Sequence, residues 1–158
     1  DEIRQRVEAA LAAVDLLDYR LHPPQMLSGG QKQRAAIAGA LAARSSCIVF
    51  DEPTSMLDPL GRRQVMDTIR QLNATEGLTI LLITHSMSEA MLAQRVLAMD
   101  AGQIVLDGPP GQVFSQVERL RGLGLDVPPI VEIAHRLRGW GMELSSPILT
   151  VEQMVEAL

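Results

Sequence analysis

Two short apolar runs, each leading into polar residues with chemical potential, constrain this chain more than any other feature. Cys47-Ile48-Val49-Phe50 leads into Asp51-Glu52-Pro53, and Thr79-Ile80-Leu81-Leu82-Ile83-Thr84 leads into His85. Continuous apolar runs of strand length fit strands buried in a parallel sheet. Between them, residues 60–73 place Val65, Ile69 and Leu72 on one helical face, and Gly77 ends the connection. Strand, helix, strand at this spacing predicts a right-handed βαβ unit. Ligands of such sheets gather at the carboxyl ends of the strands. Asp51, Glu52 and His85 are therefore expected at one rim of one sheet.

Upstream, Ile3, Val7, Leu11 and Val14 recur at helical spacing and predict a helix over residues 2–17. Pro23-Pro24 breaks the pattern, and Gly29-Gly30 opens a small-residue helix over about 31–43. Downstream, a short helix is expected from Ser86 or Ser88 to about Ala93. Val96–Met99 and Gln103–Leu106 are expected as strands joined by an Asp100-Ala101-Gly102 hairpin turn. Gly108-Pro109-Pro110-Gly111 then punctuates the chain. A helix over 111–121 with Val113, Phe114, Val117 and Leu120 as its apolar side follows, then one over 129–138 with Ile130, Ile133, Ala134 and Leu137. Thr150-Val151-Glu152-Gln153 has the form of a capping box before a final helix. The expected organisation is 1–46, 47–110 and 111–158.

Composition narrows the function classes. The chain has 158 residues, 47% hydrophobic and 21% charged, which fits a globular domain with a core. No apolar run reaches the roughly 18–20 residues needed to cross a bilayer. The start, Asp1-Glu2-Ile3-Arg4, lacks the layout of a signal peptide and enters a helical pattern at once, as expected of a chain cut inside a larger protein. The single cysteine, Cys47, has no partner for an internal disulfide; it is read as a small core residue in a reduced compartment. Net charge is −5 with no basic stripe, and the four aromatics, Tyr19, Phe50, Phe114 and Trp140, are too scattered to stack bases. These features argue against a nucleic-acid binder.

Four short segments carry the chemistry. In Leu27-Ser28-Gly29-Gly30-Gln31 the glycines permit unusual backbone geometry, and a helix start with free N–H groups suits a phosphate; a Ser-Gly-Gly turn by itself is also an ordinary helix cap. Asp51 and Glu52 can divide labour at a strand end, one holding Mg²⁺ and the other polarising a water; such acids also simply mark a strand's exit into solvent. Thr54-Ser55-Met56-Leu57-Asp58-Pro59 follows directly, and His85 closes the second strand.

In this order, the four segments resemble the ABC ATPase family. Leu27–Gln31 is similar to its signature motif, Cys47–Glu52 to its Walker B strand and adjoining glutamate, Ser55–Asp58 to its D-loop, and His85 to its switch histidine. The resemblance implies a P-loop NTPase-like α/β fold: a parallel sheet with flanking helices, plus a small helical C-terminal extension. It also implies ATP and Mg²⁺ as cofactors. By the same resemblance Asp51 helps hold Mg²⁺, Glu52 is the general base and His85 contacts the γ-phosphate. Asp58 reaches across a dimer interface. Ser28, Gly29, Gly30 and Gln31 bind the ATP held by the opposite subunit.

Residues Leu123–Pro129 and Ile148–Glu152, together with Met56 in the D-loop, resemble the ATPases of energy-coupling-factor transporters. That subgroup implies a second ATPase subunit, a transmembrane coupling subunit and a small capture protein for a vitamin or metal ion. It implies a peripheral position on the cytoplasmic face of the membrane. The extension is expected to serve dimerisation. A conventional ABC importer is the nearest rival, and a soluble ABC ATPase acting on nucleic acid or ribosomes a more distant one.

One departure matters. A phosphate-binding P-loop needs Gly-x-x-x-x-Gly-Lys-Ser/Thr. The one lysine here, Lys32, follows Gln31. The Walker A motif, the Q-loop and the adenine-stacking aromatic are expected upstream of residue 1. The 158 residues by themselves are expected to be inactive and to leave an apolar sheet face uncovered.

Overall fold

A computed structural model describes residues 2–144 and 147–158; Asp1, Ser145 and Ser146 lie outside the described residues. The chain divides into two compact units, one up to Thr84 and one from His85 onward.

The first unit begins with α1 (Glu2–Ala13), ends its helical segment α2 at Gly29–Ala42, and then forms β1 (Cys47–Asp51), α3 (Pro59–Glu76) and β2 (Thr79–Ile83). The expected βαβ unit is present: β1 and β2 pair in parallel, from Cys47 opposite Thr79 to Asp51 opposite Ile83. Asp58 and Pro59 start α3, a favoured pairing because proline at the first helical position sacrifices no intrahelical bond. Gly77 stops α3 in the left-handed conformation at φ 63°. Val65, Ile69 and Leu72 are buried as the periodicity predicts, in one core with Val14, Leu16, Ile37, Ile48 and Phe50. Each such side chain contributes about 1.5–3 kcal/mol of burial.

Three expectations fail in this unit. The first helix stops at Ala13 rather than reaching residue 17, because Asp15 turns to φ 55° and directs Leu16 into the core. Ile3 and Val7 are exposed, since the buried residues of this segment, Ala10, Val14 and Leu16, lie toward its C-terminal end. β1 is not buried on both faces. Ile48 and Phe50 point into the core, whereas Cys47 and Val49 do not, so Cys47 is exposed rather than a core residue. The physical reason is the period-two alternation of a strand in a sheet covered on one side. The open face carries Val49, Leu81 and Ile83, exposed at 56%, 48% and 48%, which is the uncovered apolar face expected above.

The second unit contains α4 (Met87–Ala90), β3 (Val96–Asp100), β4 (Gln103–Gly108), α5 (Pro110–Phe114), α6 (Val117–Gly122), α7 (Pro129–Gly139) and α8 (Val151–Ala157). The hairpin forms as expected, with β3 and β4 antiparallel and Ala101 and Gly102 both at positive φ in the turn. The single helix expected over 111–121 is two. Ser115 and Gln116 both direct side-chain hydrogen bonds back to the Gln112 carbonyl, at 2.9 and 3.2 Å, and Gln116 leaves helical geometry at ψ 53°. Val113, Phe114, Val117 and Leu120 are nevertheless all buried. On α7 the buried positions are Val131 and Ala134, while Ile133 is half exposed at the edge of the stripe. Glu132 is tied to Arg136 at 2.6 Å and also to Arg121 of α6; the Arg136 hydrogen bond, with further help from Arg121, holds its carboxyl below the usual range. The capping box of α8 is present, with Gln153 N–H donating to Thr150 Oγ1 and Thr150 N–H to Gln153 Oε1, both at 3.2 Å. No helix among the described residues is long and apolar enough to cross a membrane.

Candidate functional site

The parallel register does the main work of assembly. Because Asp51 sits opposite Ile83, both strands finish at one rim of the sheet. The ladder continues one step further: Glu52 N–H donates to the Ile83 carbonyl at 2.9 Å. Glu52 is also held from the other side, since its carbonyl accepts from Ser55 N–H at 3.2 Å and from Ser55 Oγ at 3.1 Å. Between these ties its backbone turns to φ 43°. A non-glycine residue in the left-handed region costs about 1–3 kcal/mol and persists where its surroundings over-determine it. The turn leaves both the Asp51 and Glu52 side chains exposed, directly before buried Pro53 and Thr54. His85 is exposed and follows Ile83 by two residues.

A single exposed carboxylate does not make a metal cage, and no cluster of three or more His, Cys, Asp or Glu stands together among the described residues. Mg²⁺, however, is commonly held by one or two carboxylates with phosphate oxygens and waters completing the shell. Asp51, exposed at the end of β1, fits that mode.

The serine-glycine turn is a true helix start. Ser28 is the N-cap of α2. Its hydroxyl accepts from Gln31 N–H at 3.3 Å, and its own N–H donates to Gln31 Oε1 at 2.8 Å. This is a second capping box, Ser-x-x-Gln, which the sequence carried as plainly as the one at Thr150. As an acceptor in that box, the Ser28 hydroxyl keeps its proton to donate elsewhere. Gly29 and Gly30 supply the first N–H groups of the helix, which have no intrahelical acceptor. Ser28 and Gly29 are exposed and Gly30 is buried. A Cβ on Gly30 would lie 3.5 Å from the Gly61 Cα, so this glycine marks a close approach of α2 to α3. Gly29 in turn faces Leu57, 3.3 Å from where its own Cβ would stand. The structure thus brings the Ser28–Gln31 turn beside the segment ending at Asp58.

Asp58 has a local task. Its Oδ1 accepts from Gly61 N–H at 2.9 Å and caps α3. A side chain at position 61 would collide with this carboxylate, its Cβ falling 2.7 Å from Oδ1. Sequence reasoning missed the capping role, although Asp-Pro at a helix start signals it. It also missed Glu89 of α4, a carboxylate only 2% exposed.

The chain is similar to known proteins in sequence and in fold. The family model described as ABC transporter matches residues 2–55. The energy-coupling factor transporter ATP-binding protein EcfA1 of Caldanaerobacter subterraneus subsp. tengcongensis is 58% identical over 156 residues, covering 99% of this chain and 56% of that protein. Along nearly its whole length the chain is similar to the ATP-binding proteins of such transporters. It spans little more than half the length of the curated relatives it matches, 56% for both the Caldanaerobacter protein and the EcfA1 of Clostridium novyi. Among solved structures, CbiO1 from Clostridium perfringens, part of the ABC transporter complex cbiONQ, is 34% identical with a TM-score of 0.69, over 87% of this chain and 54% of that one. The ATP-binding cassette MJ0796, a dimer in a post-hydrolysis state bound to ADP and Pi, is 32% identical with a TM-score of 0.57, over 68% of this chain and 47% of that one. The mixed α/β fold with its parallel strand pair is that of ABC ATPase domains.

Proposed function

We propose that this chain is the signature-to-switch segment, with the C-terminal extension, of an ATP-hydrolysing subunit of an energy-coupling-factor transporter. The observation that carries this reading is the fixed position of Glu52. Its backbone is bonded to Ile83 on one side and to Ser55 on the other, at the end of a strand whose last residue is Asp51. The 58% identity to an energy-coupling factor ATP-binding protein supports the subgroup.

Phosphoryl transfer demands little covalent chemistry from a protein; it is a matter of positioning and electrostatics. Asp51 is the residue to hold Mg²⁺, which supplies charge neutralisation for the phosphates when bound. Glu52 orients an attacking water and draws off its proton. Its constrained backbone aims the carboxylate before substrate arrives, so little reorganisation is needed at the moment of reaction. His85 contacts the γ-phosphate. Ser28, Gly29, Gly30 and Gln31 present a hydroxyl and helix-start N–H groups to the γ-phosphate of ATP held by a second subunit. Asp58, besides capping α3, stands in the segment that reaches the dimer interface. Two such ATPase subunits work with a transmembrane coupling subunit and a capture protein for a vitamin or metal ion. The assembly sits at the cytoplasmic face of the membrane.

The reading separates this polypeptide from a subunit of the relatives' full length. With no Gly-x-x-x-x-Gly-Lys-Ser/Thr in its 158 residues, the polypeptide has nothing to cradle the α- and β-phosphates. Purified, it releases no phosphate from Mg-ATP above background, whereas the full-length subunit in its complex turns over. Steady Mg-ATP hydrolysis by the 158-residue polypeptide contradicts the assignment.

A further inference from the structure

Glu89 is the charged residue buried most deeply among the described residues, at 2% exposure, and nothing in the roles above uses it. An ionisable side chain at that depth is costly unless it is hydrogen-bonded or paired. It belongs to α4, a helix of four residues, Met87–Ala90. So short a helix does not hold itself together; tertiary contacts must hold it.

The position of Glu89 along the chain is what gives it a consequence. Glu89 N–H donates to the Ser86 carbonyl at 3.1 Å, and so does Ala90 N–H, at the same distance. The Glu89 carbonyl in turn accepts from Leu92 N–H at 3.0 Å. The Ser86 and Ser88 hydroxyls lie 2.9 Å apart within the same turn. Thus the backbone of the buried acid closes directly on the residue next to His85. Met87, Ala90 and Met91 of the same segment pack against the core formed by Ala98, Leu106, Val113 and Phe114. The exposed His85 therefore directly precedes a tight turn that carries a buried acidic side chain.

We propose that Glu89 is a positioning residue: its buried carboxylate holds the Ser86–Ala90 turn in place and so sets where His85 is presented. The proposal rests on the phosphate-contacting role assigned to His85 above. A contact made chiefly in the transition state changes turnover rather than substrate affinity, and a misplacement of about 1 Å costs up to about 100-fold.

The test uses the full-length ATPase in its transporter complex, with Mg-ATP turnover followed by single-turnover phosphate release. Glu89→Ala lowers kcat by about 10–100-fold and leaves the KM for ATP within about twofold. Glu89→Gln keeps the length and one acceptor oxygen and restores most of the rate. In a His85→Ala background, Glu89→Ala produces no further loss, because an effect transmitted through His85 has no route left. Should the alanine variant not fold, Glu89→Met fills the same buried space without an acceptor and is read in its place. Normal kcat in Glu89→Ala, or an equal additional loss in the His85→Ala background, overturns the proposal while leaving the role of His85 standing. Normal kcat in His85→Ala alone removes the role of His85, and this inference with it.

Discussion

In the full-length subunit, Glu52→Gln leaves ATP bound and slows hydrolysis by about 10²–10⁴-fold. The substitution keeps the size of the side chain and removes its ability to take a proton. The backbone that aims it is untouched, since the ties to Ile83 and Ser55 use main-chain groups of Glu52. The expected signature is therefore a turnover defect with near-normal thermal stability and nucleotide affinity. ATP is trapped on the assembled protein rather than lost from it. Equilibrium nucleotide binding beside steady-state phosphate release separates the two, and near-normal turnover removes Glu52 from its assigned task.

Ser28→Arg acts on assembly instead. Ser28 is exposed at the start of α2, and so is Gly29 beside it. An arginine side chain fills the space the proposed incoming phosphate must occupy. The ATP-dependent dimer weakens by more than about 100-fold, or about 2.8 kcal/mol, as measured by light scattering or size-exclusion chromatography with and without ATP. Loss of the capping box also costs about 0.5–2 kcal/mol of stability. Ser28→Ala is the control, since it loses the same cap without filling the space. A Ser28→Arg protein that still dimerises with ATP shows that this turn does not meet a partner's nucleotide.

The parts of the fold legible in the sequence are those where one local signal met no competitor. Cys47–Phe50 and Thr79–Ile83 are apolar runs of strand length with a periodic helix between them, and they form the parallel pair in the register that unites their ends. Thr150 and Gln153 fix a helix start through two reciprocal hydrogen bonds, which four residues of sequence suffice to specify. The failures come from context. An apolar run does not reveal how many of its faces will be covered, so Cys47 and Val49 look like core and are exposed. The break at Ser115–Gln116 depends on two side chains competing for one carbonyl. The site divides the same way. The residue types at the strand ends were readable, but the positive φ of Glu52 was not, because neither glycine nor asparagine announces it. Asp58 carries two signals at once, and its resemblance to a D-loop residue hid the plainer one: Asp-Pro marks a helix cap, and the carboxylate makes that bond.

The central claim is that a nucleotide's terminal phosphate lies against the Asp51–Glu52 rim of one subunit and the Ser28–Gly30 turn of another. A structure of the full-length Glu52→Gln protein with Mg-ATP tests it most directly. The prediction is a γ-phosphate within hydrogen-bonding distance, about 2.5–3.2 Å, of Ser28 Oγ or the Gly29 or Gly30 N–H of one copy and beside position 52 of the other. Nucleotide phosphates seated at the opposite end of β1 and β2, with the Ser28 turn facing only solvent, contradict it.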